Sequence, residues 1–173
     1  YCSDLYESSR KYILEYFNAP EDIYTAFFVG NTTDGLNKLS NILIDNTDDI
    51  VITTRMEHHS NDLPWRSKCD LRHVEVDKDG RVRIEEIEYL LDKYQEKVKY
   101  VTITGASNVT GYVNDIKRVA KSAHKYGAKI IVDGAQLIPH KKISMIQEDA
   151  SENIDFLVFS GHKIYAPFGS GVI

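Results

Sequence analysis

The chain has 173 residues, of which 42% are hydrophobic and 27% are charged, and its formal net charge at pH 7 is −5. A chain of this size and composition can bury the core of one globular domain. The negative charge argues against a nucleic-acid or anionic-membrane partner, and no apolar run approaches the roughly 18 residues of a membrane span. Two cysteines, Cys2 and Cys69, are too few for a disulfide framework and no signal-peptide pattern opens the chain, so we expect a cytoplasmic protein.

The hydrophobic pattern predicts helices and strands in alternation. Helices are expected at residues 9–16, 33–44, 84–94 and 116–126. Strands are expected at residues 24–29, 50–52, 71–76, 100–104, 129–133 and 156–159, with another beginning near 169–173. This alternation is typical of an α/β fold, and we predict a three-layer sandwich with a mainly parallel sheet.

A lysine follows the last full strand of this pattern. The apolar run Phe156–Phe159 leads into Ser160-Gly161-His162-Lys163, so Lys163 is expected just beyond the carboxyl end of a strand. Ligands of open α/β sheets bind at that edge. A lysine amine can form a Schiff base with an aldehyde if it is neutral, and burial would lower its pKa to that end.

An acid closes a second apolar strand upstream. Asp133 ends the run Lys129–Val132 and is followed by Gly134-Ala135-Gln136. A buried carboxylate is costly without a cationic partner. A protonated pyridine nitrogen is such a partner, so this acid and the lysine together indicate a pyridoxal 5'-phosphate site. The alternative is a structural aspartate that caps the following turn.

A polar loop joins the strand at 24–29 to the following helix. It reads Gly30-Asn31-Thr32-Thr33-Asp34-Gly35, and a helix N-terminus of this kind favours an anion. Thr32 and Thr33 could donate hydroxyl hydrogen bonds to a phosphate. Ordinary N-capping of the helix is the alternative.

A pair of histidines follows the strand at 50–52. His58 directly follows Glu57, and its flat imidazole could stack on a pyridine ring and later transfer a proton. The rival hypothesis is a metal-dependent hydrolase that uses His58, His59 and Asp133. Adjacent histidines of an extended chain point in different directions, so we predict no metal site.

Five motifs in order resemble the class V aminotransferase family of fold-type I pyridoxal-phosphate enzymes, in particular its cysteine desulfurase and selenocysteine lyase group. They cover most of the chain from about residue 27 onward. The motifs are Gly30-Asn-Thr-Thr-Asp-Gly35, Met56-Glu-His-His-Ser-Asn61, Ala106-Ser-Asn-Val109, Val132-Asp-Gly-Ala-Gln136 and Ser160-Gly-His-Lys163.

The resemblance implies a role for each polar residue. It makes Lys163 and His58 catalytic, with His58 stacked on the cofactor ring. It assigns cofactor contacts to Thr32, Thr33, His58, Asn108, Asp133, Gln136, Ser160, His162 and Lys163. Within that set, Asn108 and Gln136 would lie near the phenolic oxygen, whereas Thr33, Ser160 and His162 would contact the phosphate. A turn residue is the alternative for Asn108.

The resemblance also implies a longer protein, about twice this length, in which residues 1–173 form part of the large domain and a smaller C-terminal domain follows. That later region would supply the nucleophilic cysteine and the arginine that binds the substrate carboxylate. The favoured function is removal of sulfur from L-cysteine, giving alanine and an enzyme persulfide. Homodimerisation and a sulfur-acceptor protein are expected.

Other functions share this half of the site. Selenocysteine cleavage, transamination and epimerisation use the same cofactor residues, and fold analogy does not separate them. The loop Ala166-Pro167-Phe168-Gly169 differs from the shorter side chains of well-known desulfurases. A non-catalytic α/β module that assembles with a partner is a further alternative.

Overall fold

A computed structural model describes residues 2–173. Its seven-stranded sheet has the order β1-β7-β6-β5-β4-β2-β3. The strands are β1 (Phe28–Val29), β2 (Ile50–Thr54), β3 (Asp70–Val74), β4 (Val98–Thr104), β5 (Lys129–Asp133), β6 (Phe156–Ser160) and β7 (Gly171–Val172). The helices are α1 (Cys2–Tyr16), α2 (Thr32–Leu43), α3 (His59–Asp62), α4 (Ile84–Tyr94) and α5 (Ile116–Lys125), with short 3-10 turns at Gln95–Lys97, Ala150–Glu152 and Gly161–Ile164.

The sheet is mainly parallel, as predicted. The pairs β3–β2, β2–β4, β4–β5 and β5–β6 are all parallel, whereas β7 runs antiparallel to both β6 and β1. Crossover connections between parallel strands place helices on the faces of a sheet. The α/β prediction is therefore confirmed.

Alternate side chains of the central strands enter two separate cores. On β5, Ile130 and Val132 pack in the larger cluster, which includes residues of α1, α4 and α5. Ile131 points to the other face, where Leu36 of α2 and the fully buried Trp65 pack. Since strand side chains alternate between faces, this division gives three layers.

The edge between β1 and β7 differs from the sequence prediction. The expected strand at 24–29 is reduced to Phe28–Val29. Upstream, the Ala26 carbonyl accepts from Arg10 Nε at 2.9 Å, and Arg10 Nη2 also donates to Thr25 Oγ1 at 2.5 Å. Because Arg10 takes the Ala26 carbonyl, that backbone group does not join a strand ladder.

Four parallel strands end along one edge of the sheet. Their last residues are Thr54, Thr104, Asp133 and Ser160. Next to them, β7 brings Gly171 so close to the loop before α2 that an added Cβ would lie 2.7 Å from Asn31 Cα. That contact brings the start of α2 against the carboxyl edge, where the predicted site residues also lie.

Candidate active site

Asp133 is a buried acid at the centre of this edge. It is 3% exposed, and its Oδ1 accepts a hydrogen bond from the Ala135 backbone N–H at 2.9 Å. Burial raises its pKa, while the Ala135 N–H and the charges of His58 and Lys163 oppose that rise. Within residues 2–173, no side chain forms an ion pair with Asp133. The carboxyl group is thus desolvated, as predicted.

Lys163 lies within electrostatic reach of Asp133, which confirms that β5 and β6 bring the two together. The expected burial of the lysine is wrong, because Lys163 is exposed. It belongs to the 3-10 turn Gly161–Ile164, which ends at Tyr165 in a left-handed conformation (φ 65°). The 3-10 turn thus places Lys163 at the surface, just beyond the carboxyl end of β6.

His58 is held at the end of β2 by the backbone of α3. It is the N-cap of that helix, and its Nδ1 accepts from the Ser60 backbone N–H at 3.1 Å. An imidazole that accepts at Nδ1 in its neutral form carries its proton on Nε2. The sequence analysis treated His58 and His59 as an extended pair, whereas His59 begins the helix.

The two threonines of the α2 loop have different surroundings. Asn31, rather than a threonine, caps α2 by accepting from Asp34 N–H at 2.9 Å. Thr32 is 5% exposed and its Oγ1 lies 2.6 Å from Ser160 Oγ, whereas Thr33 is exposed. Thr33 Oγ1 lies 2.7 Å from Ser60 Oγ, so Thr33 is joined to the histidine turn.

Asn108 and Gln136 lie in the turns that follow β4 and β5. Asn108 is exposed, in a turn closed by the hydrogen bond from Gly111 N to Ser107 O at 3.0 Å. Gln136 is half-buried in the turn that begins at Gly134. Both turns lie at the carboxyl edge of the sheet, where Asp133 also lies. The roles of both side chains remain predictions.

His162 is oriented by a neighbour that the sequence analysis did not connect with it. Its ring stacks on Phe168, with centroids 5.2 Å apart and an interplanar angle of 23°. Phe168 is otherwise 89% exposed. Phe168 belongs to the loop 166–169, which differs from that of well-known desulfurases, and it therefore contacts one of the predicted phosphate ligands.

Three polar residues around His58 were given no role in the sequence analysis, namely Glu57, Ser60 and Asn61. Ser60 connects Thr33 to His58, since its Oγ also lies 2.9 Å from His58 Nδ1. Glu57 accepts from Thr54 Oγ1 at 2.6 Å and from Asn61 Nδ2 at 2.7 Å. The signal in the sequence was the unbroken polar run 57–62 directly after an apolar strand.

Glu57 is a second acid in low-dielectric surroundings. Although part of the residue is accessible, its carboxyl group lies deep in the molecule, and this burial raises its pKa to about 8. Hydrogen bonds from Thr54, Asn61 and the Thr104 backbone oppose the rise, and the Asp133 charge adds to it. Near neutral pH Glu57 is therefore mostly protonated.

These residues fit pyridoxal phosphate. Asp133 offers a buried acid that has no ion-pair partner in the described chain, which suits a pyridinium N–H. Lys163 offers an exposed amine for the aldehyde, and the α2 N-terminus with Thr33 offers donors for a phosphate. Within residues 2–173, no group of three or more His, Cys, Asp or Glu side chains is arranged to hold a metal ion.

The chain belongs to the class V aminotransferase family, because the family model described as "Aminotransferase class-V" matches residues 1–173. Two similar proteins are cysteine desulfurases. A cysteine desulfurase of Cronobacter sakazakii is 36% identical, and one of Enterobacter sp. (strain 638) is 38% identical. Each alignment covers 96% of this chain and 41% of the relative. The chain thus spans about two fifths of the length of these curated relatives.

Solved structures lead to the same family. The cysteine desulfurase CsdA from Escherichia coli superposes with a TM-score of 0.82 at 28% identity, over 98% of this chain and 43% of that one. The apo cysteine desulfurase from Thermococcus onnurineus NA1 gives a TM-score of 0.79 at 32% identity, over 96% and 41% of the two chains. None of the helices in residues 2–173 is long and apolar enough to cross a membrane.

Proposed function

We propose that this chain supplies the cofactor-binding half of a pyridoxal-phosphate-dependent cysteine desulfurase. The observation that carries the proposal is the buried carboxyl group of Asp133, which has no ion-pair partner within residues 2–173 and lies within electrostatic reach of Lys163 at the carboxyl edge of the sheet. The family and the desulfurase relatives support the reaction type.

Each residue then has a defined task. Asp133 would pair with the ring nitrogen and keep it protonated. Lys163 Nζ would hold the aldehyde carbon covalently and, once displaced by the substrate amine, would move the proton at the substrate Cα. His58 would cover the ring, with Nε2–H available for a second proton transfer, because Ser60 occupies Nδ1.

The remaining donors would hold the phosphate and the phenolic oxygen. Thr33, Ser160 and His162 would serve the phosphate, and Thr32 would support Ser160 from behind, since their hydroxyls are in contact. Asn108 and Gln136 would serve the phenolic oxygen. When bound, pyridoxal phosphate draws electrons from the Cα of an attached amino acid, which is the chemistry that these residues need.

The thiol that accepts sulfur is not Cys69. That side chain is half-buried and donates to the Trp65 carbonyl at 3.3 Å. Burial, together with Asp70 and Asp49, raises its pKa to about 11, which disfavours the nucleophilic thiolate. It also precedes Asp70, the first residue of β3, and so lies at the opposite edge of the sheet from Asp133.

The proposal includes the cellular setting and partners. The amino-acid substrate would be L-cysteine, the active form would be a homodimer, and a separate protein would take the persulfide sulfur. Both cysteines are free, in keeping with a reducing cytoplasm. Ile164 and Phe168 are exposed beside the catalytic lysine, as expected of a surface that a second subunit covers.

Borohydride trapping tests the cofactor and its lysine. The full-length product of the gene that encodes this chain is mixed with pyridoxal phosphate, reduced and mapped by mass spectrometry. A phosphopyridoxyl group on Lys163 is expected, and Lys163→Ala should lack it. Lys141→Ala, which changes another exposed lysine, is the matched control and should retain the adduct. An unmodified Lys163 in the wild-type protein would overturn the proposal.

Product analysis separates the reactions that share this site. With L-cysteine, stoichiometric alanine and sulfide in the presence of a thiol are expected. Formation of a keto acid with amino transfer would instead indicate an aminotransferase, and turnover confined to selenocysteine would indicate a selenocysteine lyase. If the cofactor binds but no amino acid reacts, the chain is a non-catalytic module.

A further inference from the structure

Glu57 lies where three elements of the carboxyl edge meet. Thr54, the last residue of β2, donates its hydroxyl to Oε1 at 2.6 Å, and Asn61 of α3 donates to Oε2 at 2.7 Å. The backbone N–H of Thr104, the last residue of β4, also stabilises the carboxyl group. Glu57 thus fastens the turn that carries His58 to two strands and a helix.

The partner Asn61 is itself rigidly held. It is fully buried, and its Oδ1 accepts from Thr102 Oγ1 at 2.6 Å and from Trp65 Nε1 at 3.4 Å. Trp65 is fully buried too. The position of Glu57 is therefore set by the sheet and its covering layer, rather than by the mobility of an exposed loop.

His58 is held from both sides as a result. Glu57, the residue directly before His58, is fixed by its own hydrogen bonds. Ser60, two residues after His58, fixes the imidazole ring through the hydrogen bond from its backbone N–H to Nδ1. Ser60 in turn contacts Thr33 of α2 at 2.7 Å. The imidazole is exposed on its remaining side, which leaves its face free for a ligand.

We propose that Glu57 is a positioning residue, which holds His58 in its ring-stacking orientation and tautomer, whereas Asp133 is the acid that faces the cofactor. This inference rests on the proposed function, and it adds a residue that acts through His58 without touching the cofactor.

The charges around Glu57 agree with this division of roles. Asp133 of β5 is the charged group whose field reaches it, and Asp133 in turn faces His58 and Lys163. Two buried acids this close favour a state in which one of them is protonated. Burial raises the pKa of Glu57 to about 8 and also raises the pKa of Asp133. The Thr54 hydroxyl and the Asn61 amide both donate to the Glu57 carboxyl group.

Two substitutions separate the positioning role of Glu57 from its ability to ionise. Glu57→Gln keeps an amide oxygen that can accept one of the two side-chain hydrogen bonds, and it removes the ionisable group. Glu57→Leu keeps the approximate volume and removes both hydrogen bonds. If Glu57→Leu does not fold, Thr54→Val removes one donor at nearly constant volume and takes its place.

The first readout needs no cofactor. The protein is labelled with 15N-histidine, and the His58 resonances are assigned by their loss in His58→Ala. Wild type and Glu57→Gln should show the Nε2–H tautomer, whereas Glu57→Leu should show averaged tautomers. An unchanged His58 spectrum in folded Glu57→Leu, or in Thr54→Val if that variant replaces it, would overturn the proposal.

The second readout is the dissociation constant for pyridoxal phosphate. Glu57→Leu should weaken binding about tenfold in the wild-type background, and much less in a His58→Ala background, because Glu57 acts through His58. Equal losses in both backgrounds would show a general structural role and contradict the inference. Absence of any adduct on wild-type Lys163 would instead sink the proposed function, while the histidine spectra would still decide the role of Glu57.

Discussion

Thr32 and Ser160 share a buried hydrogen-bond pair across 128 residues of sequence. Ser160 Oγ lies 2.6 Å from Thr32 Oγ1 and accepts from the Thr32 backbone N–H at 2.7 Å. The pair joins the first turn of α2 to the last residue of β6. It brings the two loops predicted to hold the cofactor phosphate into direct contact, so neither loop is positioned independently.

Thr32 and Thr33 should therefore differ in what their hydroxyls do. Thr32→Val removes one of the two hydrogen bonds that Thr32 makes with the buried Ser160 hydroxyl, and we expect a loss of about 1 kcal/mol in the free energy of unfolding. Thr33→Val removes an exposed contact with Ser60. It should change stability little and weaken pyridoxal phosphate binding more. Urea denaturation and cofactor titration measure the two effects. The reverse pattern would mean that Thr32 is the phosphate ligand.

Glu57 should give the protein a stability that falls as pH rises. Its folded-state pKa of about 8 exceeds its ordinary value of 4.5, so between those values the folded state holds a proton that the unfolded chain has released. The associated stability is fully present below pH 4.5 and is lost as pH rises through 8. The slope approaches about 1.4 kcal/mol per pH unit where the difference is one proton.

Glu57→Gln removes this titration and retains Asp133. Unfolding free energies measured from pH 5 to pH 8 should therefore decline less steeply in the variant than in the wild type. Asp133, whose pKa is also raised, contributes a slope of the same sign in both proteins. Parallel curves would mean that Glu57 is ionised in the folded protein.

Asp133→Asn should make the cofactor-free protein more stable and the cofactor less tightly bound. Asparagine can still accept from the Ala135 N–H, and it removes a buried charge without an ion-pair partner in the described chain. At pH 8 we expect a gain of about 1 kcal/mol in the free energy of unfolding.

Asp149→Asn is the control, because its expected change in the free energy of unfolding has the opposite sign. Lys121 donates to Asp149 at 2.8 Å and lowers its pKa, so the amide should destabilise the protein slightly. If Asp133→Asn is also less stable than the wild type without cofactor, the carboxylate has a structural role.

Gly35 should tolerate no side chain, although it lies in a helix. A Cβ there would lie 2.6 Å from Val158 Cγ1 and 3.2 Å from Ile173 Cγ1. Gly35→Ala should therefore push α2 away from β6 and cost about 1–3 kcal/mol. Gly30→Ala is the matched control, since its nearest atom would be Asp34 Oδ2 at 3.5 Å. Similar melting temperatures for the two variants would contradict the close packing of α2.

The sequence predicted elements that have one dominant local signal. The apolar run at 129–133 and the amphipathic pattern at 84–94 both occur with the predicted bounds. The strand at 24–29 was overestimated, because Arg10 captures its polar groups through tertiary contacts. The antiparallel direction of β7 depends on pairing with two strands, so no local pattern contains it.

In the candidate site, too, local sequence signals predicted some features, whereas others depend on tertiary contacts. Strand-end positions identified Asp133 and Lys163, since the carboxyl edge of a parallel sheet is a general binding location. The link from Thr33 through Ser60 to His58 depends on α2 and α3 being neighbours, and the exposure of Lys163 depends on the turn after β6. Periodicity alone carries no information about such contacts.

The Thr32–Ser160 pair also sets an order of events during translation. Ser160 is made 128 residues after Thr32, which takes on the order of ten seconds at typical synthesis rates. For that interval the nascent N-terminus of α2 lacks its partner, and β1 lacks β7, the strand with which it pairs. The two loops that are predicted to hold the cofactor phosphate therefore cannot meet until Ser160 has been synthesised.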